Sequence, residues 1–388
     1  MKKETRILHA GRNPKDNFGI VNPPVYHAST VTFPSVAAMH KAGENPTEGI
    51  YYGRMATPTS QALEEAVASL EGADRAIAVQ SGLAAITGAI LPFVKTGDHI
   101  LVTDSAYFPT KKFCDTVLKG FGVETTYYDP MIGSGISALI QDNTKIVFTE
   151  APGSLTFEVQ DIPAIAKAAH DRDVLVIIDN TWGAGYFFNA FENGCDISVQ
   201  AATKYIGGHS DVMLGTIALH EDLYKKVKTY VYGMGYCAAP DDCYLAQRGI
   251  RTLPARLAIH QDNGIKMASW LKERPEVTRI LHPAFEDCPG HEIWKRDFSG
   301  ACGLFSVVLD EKYNNTAVAA MLDGMELFPM GYSWGGYESL IIPFNPQGAR
   351  QATGWPDKGP CLRIHAGQEN IEDLLADLEK GFVRLNNA

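Results

Sequence analysis

The chain has 388 residues, 45% hydrophobic and 20% charged, with a formal charge of −11. That length leads us to expect two or three domains with cores of their own, and the composition excludes disordered and fibrous classes. The acidic balance argues against a nucleic-acid or anionic-membrane surface but leaves room for an anionic small ligand held by local charges.

Taken in order, Met1–Arg6 is not followed by an apolar core, so no signal peptide is expected. Residues up to about Glu48 are rich in Pro, Asn and Ser and show little periodicity; such an arm is either a tail or a segment that wraps a neighbour. A helix should start at Thr57 as N-cap with Pro58 at its first position, its apolar stripe being Leu63, Val67 and Leu70. The apolar window Ala76–Val94 is interrupted by Gln80, Ser81, Gly82, Thr87, Gly88 and Pro92, and reads as strand, turn and buried helix rather than a membrane span.

From there the chain alternates strands and helices. Strands are expected at Ala76–Val79, His99–Val102, Val123–Thr126, Lys145–Thr149, Val174–Ile178, Ile197–Ala201 and Leu214–Leu219. Helices are expected at Ala84–Leu91, Pro109–Gly120 and Asp161–His170, the last capped by Asp161. The alternation predicts an α/β domain with a mostly parallel seven-stranded sheet covered on both faces. After about Ala239 the pattern becomes α+β. A helix from Pro254 to Lys272 precedes strands near Val277–Leu281, Leu304–Leu309, Leu340–Ile342 and Cys361–Ile364. A last helix follows, with Asn370 as N-cap, Asp373 three residues on, and Ile371, Leu374, Leu375, Leu378 and Phe382 on one face. The division expected is an arm over 1–55, a large domain over 56–245 and a C-terminal domain over 246–388. Seven scattered cysteines without a C-x-x-C are expected to be reduced, in the cytoplasm.

Chemistry gathers at the strand ends. Asp179 closes the apolar run Val174–Ile178, and Thr203 and Lys204 follow the run Ile197–Ala201. In open α/β sheets the ligand crevice lies beyond the strands' carboxyl ends, so an acid, a hydroxyl and an amine face one crevice. That trio suits pyridoxal 5′-phosphate (PLP), with the lysine bonded to the aldehyde and the aspartate paired with the pyridine nitrogen. Spacing alone favours the plainer reading, a solvated loop lysine and a capping aspartate. Ser81, Gly82 and Leu83 stand where a strand turns into a helix, a place where backbone N–H groups meet anions. Arg363 interrupts an apolar strand pattern; it is either half of an internal salt bridge or a clamp on an α-carboxylate, and on the second reading, which the resemblance described below implies, Ser333 and Trp334 would line the same pocket. Gly233-Met234-Gly235-Tyr236-Cys237-Ala238 fits the nicotinamide-binding spacing but follows a charged helical segment instead of a strand. None of the eleven histidines makes a metal-binding pattern, so no metal is expected.

The segment Asp196-Ile197, Ala201-Ala202-Thr203-Lys204-Tyr205-Ile206, Gly208-His209-Ser210 resembles the PLP-attachment signature of the Cys/Met-metabolism enzymes, and the resemblance runs from about Thr5 to Leu385. It implies the aspartate-aminotransferase-like architecture (fold type I) and assigns expected roles. Lys204 would carry PLP, Asp179 would keep its ring nitrogen protonated, Tyr107 would stack on the ring, and Ser81, Gly82, Leu83 and Thr203 would form the phosphate cup. Arg363 would hold the substrate's carboxylate. Tyr52 and Arg54 would reach the PLP phosphate of a neighbouring subunit, which implies a homo-oligomer, by family habit a homotetramer, with shared sites.

Two stretches depart from much of the family, Tyr52-Gly53-Arg54 before Thr57-Pro58-Thr59 and Glu150-Ala151-Pro152-Gly153-Ser154-Leu155, and His291–Phe298 and Tyr332–Tyr337 stand beside them. They are similar to the bacterial β-lyase branch. The implied reaction is β-elimination of L-cystathionine to homocysteine, pyruvate and ammonia, for methionine biosynthesis. The freed Lys204 amine would take the Cα proton, with Tyr107 or Tyr52 receiving the substrate's ammonium proton. Open alternatives are a cysteine desulfhydrase, a γ-acting lyase or synthase, a non-catalytic protein-binding regulator on the same fold, and a nicotinamide oxidoreductase.

Overall fold

The computed structural model describes residues 1–388. Seven strands form one sheet: β1 (Arg75–Val79), β2 (His99–Thr103), β3 (Glu124–Tyr128), β4 (Thr144–Glu150), β5 (Leu175–Asp179), β6 (Ile197–Gln200) and β7 (Gly215–Leu219). Their order is β1-β7-β6-β5-β4-β2-β3, and all pairings are parallel except those of β7, which opposes β1 and β6. The expected mostly parallel sheet is therefore present, strand for strand.

Alternate residues of a strand face opposite sides. Val176 and Ile178 pack with Leu101 and Val147 on one face, beneath the helices Pro58–Glu71, Ile162–His170 and Pro240–Lys272. Ile177 packs with Ile100, Val102, Ile146 and Phe148 on the other, beneath Gly82–Ile90 and Glu221–Gly233. Burial on both faces is why these strands read as unbroken apolar runs. Each such side chain contributes about 1.5–3 kcal/mol.

A second, antiparallel sheet holds β8 (Val277–Leu281), β9 (Leu304–Leu309), β10 (Leu340–Phe344) and β11 (Cys361–His365) in the order β10-β11-β9-β8. The last helix, Ile371–Asn386, buries Leu374, Leu378, Phe382 and Leu385 in a core with Phe305, Val307, Ile341 and Leu362.

Several local expectations need correction. The helix expected from Pro254 begins instead at Pro240 and runs 33 residues with Pro254 inside it, a length of about 50 Å. Pro254 reads as a start because proline is favoured at a first turn. Upstream, however, Cys243, Ala246, Gln247, Ile250 and Leu253 form a buried stripe whose packing outweighs the roughly 3 kcal/mol that an internal proline costs. The position 245/246 lies within this helix. The arm, expected to lack periodic structure, holds two helices, Lys3–His9 and Val36–Glu44. The second buries none of its residues, so no core-facing pattern was there to read. The helix after Pro109 is α-helical only from Phe108 to Phe113 and widens into a π-turn over Cys114–Leu118. Asn370 does cap the last helix, but it accepts the N–H of Glu372 rather than that of Asp373. Thr57 forms a full capping box, with Ser60 as its partner. No helix is long and apolar enough to cross a membrane.

Phe382 is 1% exposed and its neighbour Val383 is 53% exposed. Phe382→Ala is expected to lower stability by about 3–5 kcal/mol, and Val383→Ala to stay within about 0.5 kcal/mol. Urea denaturation of both variants checks this; equal losses would contradict the packing of the last helix.

Candidate active site

Because β7 alone is reversed, the carboxyl ends of β1, β2, β4, β5 and β6 lie along one edge of the large sheet. That edge and β11 enclose a cavity of about 410 Å³. Of the residues expected at the site, Ser81, Gly82, Leu83, Tyr107, Asp179, Thr203, Lys204, Ser333, Trp334 and Arg363 all line it.

Asp179 is the last residue of β5. Its Oδ1 accepts the N–H of Thr181 at 3.0 Å and the Thr181 hydroxyl, and Oδ2 has no donor within the protein. Burial pushes the Asp179 carboxyl up, against the pull of Thr181 and Lys204. The Thr181 oxygen also accepts the N–H of Ala201 at 2.9 Å, tying the end of β5 to the end of β6. Three residues beyond Ala201, Lys204 Nζ donates to Ser333 Oγ at 2.8 Å and lies 5.4 Å from the Trp334 ring centre. Burial first, and Arg363 second, bring the Lys204 amine down to about 8, against Asp179.

Ser81 caps the helix Gly82–Ile90 by accepting the N–H of Ala84 at 3.1 Å. A Cβ on Gly82 would stand 2.6 Å from the Ala201 Cβ, so glycine is what lets this helix start approach the β6 end. The Thr203 hydroxyl is engaged with the backbone of Leu214 and still lines the cavity. Tyr107 presents a half-exposed ring, and burial, then Glu150 and Asp179, push its phenol up.

Arg363 is 7% exposed, and its guanidinium donates to three backbone carbonyls: Gly331 at 2.9 Å, Ser333 at 3.1 Å and Tyr332 at 3.4 Å. It has no carboxylate partner, so the internal salt bridge is not what it makes. Burial lowers it to about 10, and it stays charged at neutral pH.

Tyr52 and Arg54 are not brought to this cavity. They line a separate one of about 210 Å³ with Tyr26, Glu64, Tyr232 and Tyr236, where Arg54 donates to the Tyr232 carbonyl at 2.8 Å. Sequence reasoning missed Thr181 and Glu150. Thr181 could have been found as the hydroxyl two residues after Asp179, a spacing at which Asp caps its own chain. Glu150 stands opposite Asp179 in the β4–β5 register and lines the cavity, and its Oε2 accepts the N–H of Tyr107 at 2.7 Å. Burial, then Asp179, push its carboxyl well up, against the Tyr107 N–H. No feature of the sequence near Glu150 pointed to that environment.

These groups fit PLP. An uncompensated acceptor, Asp179 Oδ2, suits a protonated ring nitrogen. The free N–H groups at the start of the helix Gly82–Ile90 suit a phosphate. An amine with a lowered pKa stands in the same cavity. The nicotinamide alternative fails on the same criterion: Gly233 ends a helix and so offers carbonyls rather than N–H groups.

The family model for Cys/Met metabolism PLP-dependent enzymes matches residues 4–383. A putative cystathionine beta-lyase of Rhizobium johnstonii is 48% identical, over 97% of this chain and 95% of that protein. The cystathionine beta-lyase MetC of Escherichia coli K12 is 44% identical, over 99% of each chain. The crystal structure of metB from Corynebacterium glutamicum superposes with a TM-score of 0.90 at 33% identity, covering 100% of this chain and 98% of that one. With its cavity chemistry and its whole length in agreement, the chain belongs to the Cys/Met metabolism PLP-dependent enzyme family.

Proposed function

We propose that the protein is a carbon–sulfur lyase that cleaves L-cystathionine by β-elimination into homocysteine, pyruvate and ammonia, a step of methionine biosynthesis. The observation that carries this reading is Arg363, a buried cation held only by carbonyls in the cavity that holds Lys204 and Asp179. A bidentate guanidinium without an anion is a receptor for a carboxylate. The β-lyase activity named for relatives at 44–48% identity supports the choice of reaction.

When bound, PLP supplies the electron sink for the charge left on Cα as its proton departs. Asp179 would hold the ring nitrogen through Oδ2, which has no donor within the protein. The helix start at Ser81, Gly82 and Leu83, with Thr203, holds the phosphate. Arg363 fixes the substrate's α-carboxylate, which orients the Cα–H bond toward Lys204. Lys204 Nζ, neutral once its proton is lost near pH 8, takes that proton. Tyr107, which lines the same cavity, would cover the ring face, its phenol pushed up by burial. Ser333, within hydrogen-bond reach of Lys204 Nζ, steadies the amine.

The active unit is an oligomer, on this reading a homotetramer built from two dimers, in which Tyr52 and Arg54 complete the neighbour's site. Support comes from the separation of these residues from the cavity of their own chain and from the exposed apolar side chains of the arm: Phe18, Ile20, Val21, Val36 and Met39. The division into arm (1–55), large domain (56–245) and C-terminal domain (246–388) belongs to the same reading, with the helix Pro240–Lys272 bridging the latter two. Seven free cysteines suit a reducing, cytoplasmic setting.

The deciding experiment is product analysis with L-cystathionine. Pyruvate and homocysteine are expected, and Arg363→Lys should raise KM on the order of a hundredfold; α-ketobutyrate as the product would replace this reaction with a γ-acting one. The neutral Lys204 amine is the form that bonds the aldehyde, and its lowered pKa means that this form grows as pH rises. Recombination of PLP with apoenzyme should therefore quicken roughly tenfold per pH unit up to about 8 and level off above, and stopped-flow absorbance reads it. A midpoint near the ordinary lysine value would contradict the buried, Arg363-flanked amine. Finally, Lys204→Ala and Arg54→Ala subunits, each nearly inactive, should on co-refolding recover about a quarter of wild-type activity through hybrid dimers. No recovery would place both residues in one chain's site.

A further inference from the structure

The segment between β10 and β11 leaves the small sheet, crosses to the large one and returns. After the turn Gln347–Ala349 comes Arg350, its side chain 5% exposed, which donates to Thr156 Oγ1 and Glu158 Oε1. The next three backbone N–H groups converge on the carboxylate of Asp104, from Gln351, Ala352 and Thr353 at 2.9 Å each. Asp104 also accepts from buried Lys111 at 2.7 Å, and Lys111 donates in turn to the carbonyl of Ala349. Burial would raise the Asp104 carboxyl, but Lys111 and the three N–H groups outweigh it and hold it down.

The two places gripped are the two loops that wall the cavity. Asp104 opens the turn that ends at Tyr107, and Thr156 belongs to the loop whose Ser154, Leu155 and Phe157 face the cavity. The loops are also joined to each other. Ser154 N–H donates to the Ser105 carbonyl at 2.8 Å, and Gly153 lies so close that a Cβ there would be 2.5 Å from the Ser105 Cβ. Leu155 and Phe157 sit at φ +67° and +58°, left-handed conformations that such side chains avoid. A loop holds that shape only where its surroundings over-determine it, and Arg350 grips it between and just after those two residues.

We propose that Arg350 is a positioning residue for substrate recognition: by fastening the loop 153–158 to the segment that leads into β11, it fixes Leu155 and Tyr107 relative to Arg363, so that the cavity wall and the carboxylate clamp close on the substrate as one piece. This rests on the lyase reading for its substrate. It requires no contact between Arg350 and the reacting atoms. The grip comes from one nitrogen, Nη2, which meets a hydroxyl and a carboxylate at once, while Nη1 is buried without a partner.

Arg350→Gln removes the ion pair and leaves Lys204, Asp179 and Arg363 untouched. Amide hydrogen exchange at 153–158 should quicken by about tenfold or more, with cofactor absorbance and exchange in the helix Ile371–Asn386 unchanged. KM for L-cystathionine should rise by about tenfold or more while kcat changes much less, the pattern of lost uniform binding. Arg350→Lys, which keeps a cation but reaches less far toward Thr156 and Glu158, should fall between wild type and Arg350→Gln; if the Gln variant does not fold, the Lys variant is judged by the same criteria. Unchanged exchange at 153–158, or faster exchange with unchanged KM, overturns the proposal. So does a general loss of protection together with loss of cofactor absorbance, which would mark a purely structural ion pair. Should the wild type leave L-cystathionine intact, the lyase reading falls, and exchange at 153–158 still decides whether Arg350 holds the loop.

Discussion

One hydroxyl aligns the site. The Thr181 oxygen donates to Asp179 and accepts from the Ala201 N–H, so the ends of two parallel strands are pinned to each other rather than merely adjacent. Gly82 adds a third constraint, its missing side chain letting a helix start abut Ala201. The acid, the amine and the N–H groups of the helix start therefore share one edge, and a shift of either strand end or of the helix start would misplace the rest. Chemistry that depends on sub-ångström orientation needs those constraints.

The same edge is electrostatically unsettled. Burial pushes Asp179 toward its neutral form and Lys204 toward its own, and each partly resists through the other. Arg363 sharpens the problem: it lowers Lys204 and is itself a cation with only carbonyl partners. Burying an ion without a counter-ion costs several kcal/mol. Buried Lys111 is paired with Asp104 and buried Lys228 with Glu64, whereas Arg363 carries its charge uncompensated in a cavity that an anion can enter. Cofactor and substrate each bring the charges that are missing, so binding energy and site stability are coupled.

The sequence made much of this legible. Val174–Ile178 reads as a strand buried on two faces, which puts Asp179 at its end, and the same argument puts Lys204 at the crevice. What stayed hidden depended on distant partners. Pro254 looked like a helix start because the favourable packing around it comes from other elements, and propensity cannot see that. Val36–Glu44 carries no pattern toward its own core because it has none to face. Glu150 looked like any strand-end acid until the register set it against Asp179. Arg350 lies some two hundred residues from Thr156 and Glu158, and no local spacing connects them.

The charge arrangement also separates the remaining readings of this fold. A protein-binding regulator would gain nothing from an unpaired arginine buried in a cavity; replacing it with an apolar residue would be neutral or stabilising, as it often is for buried charges. A nicotinamide enzyme would need its pyrophosphate at a helix start after a strand, whereas Gly233 closes a helix and Gly235 follows it at φ +77°. The partial charge there has the wrong sign for an anion. The helix start that does face the main cavity belongs to Gly82, across from the Lys204 amine. An anion at one wall, an amine with a lowered pKa between, and an unpaired guanidinium at the other wall suit a phosphorylated aldehyde cofactor joined to an amino acid, and neither alternative accounts for all three.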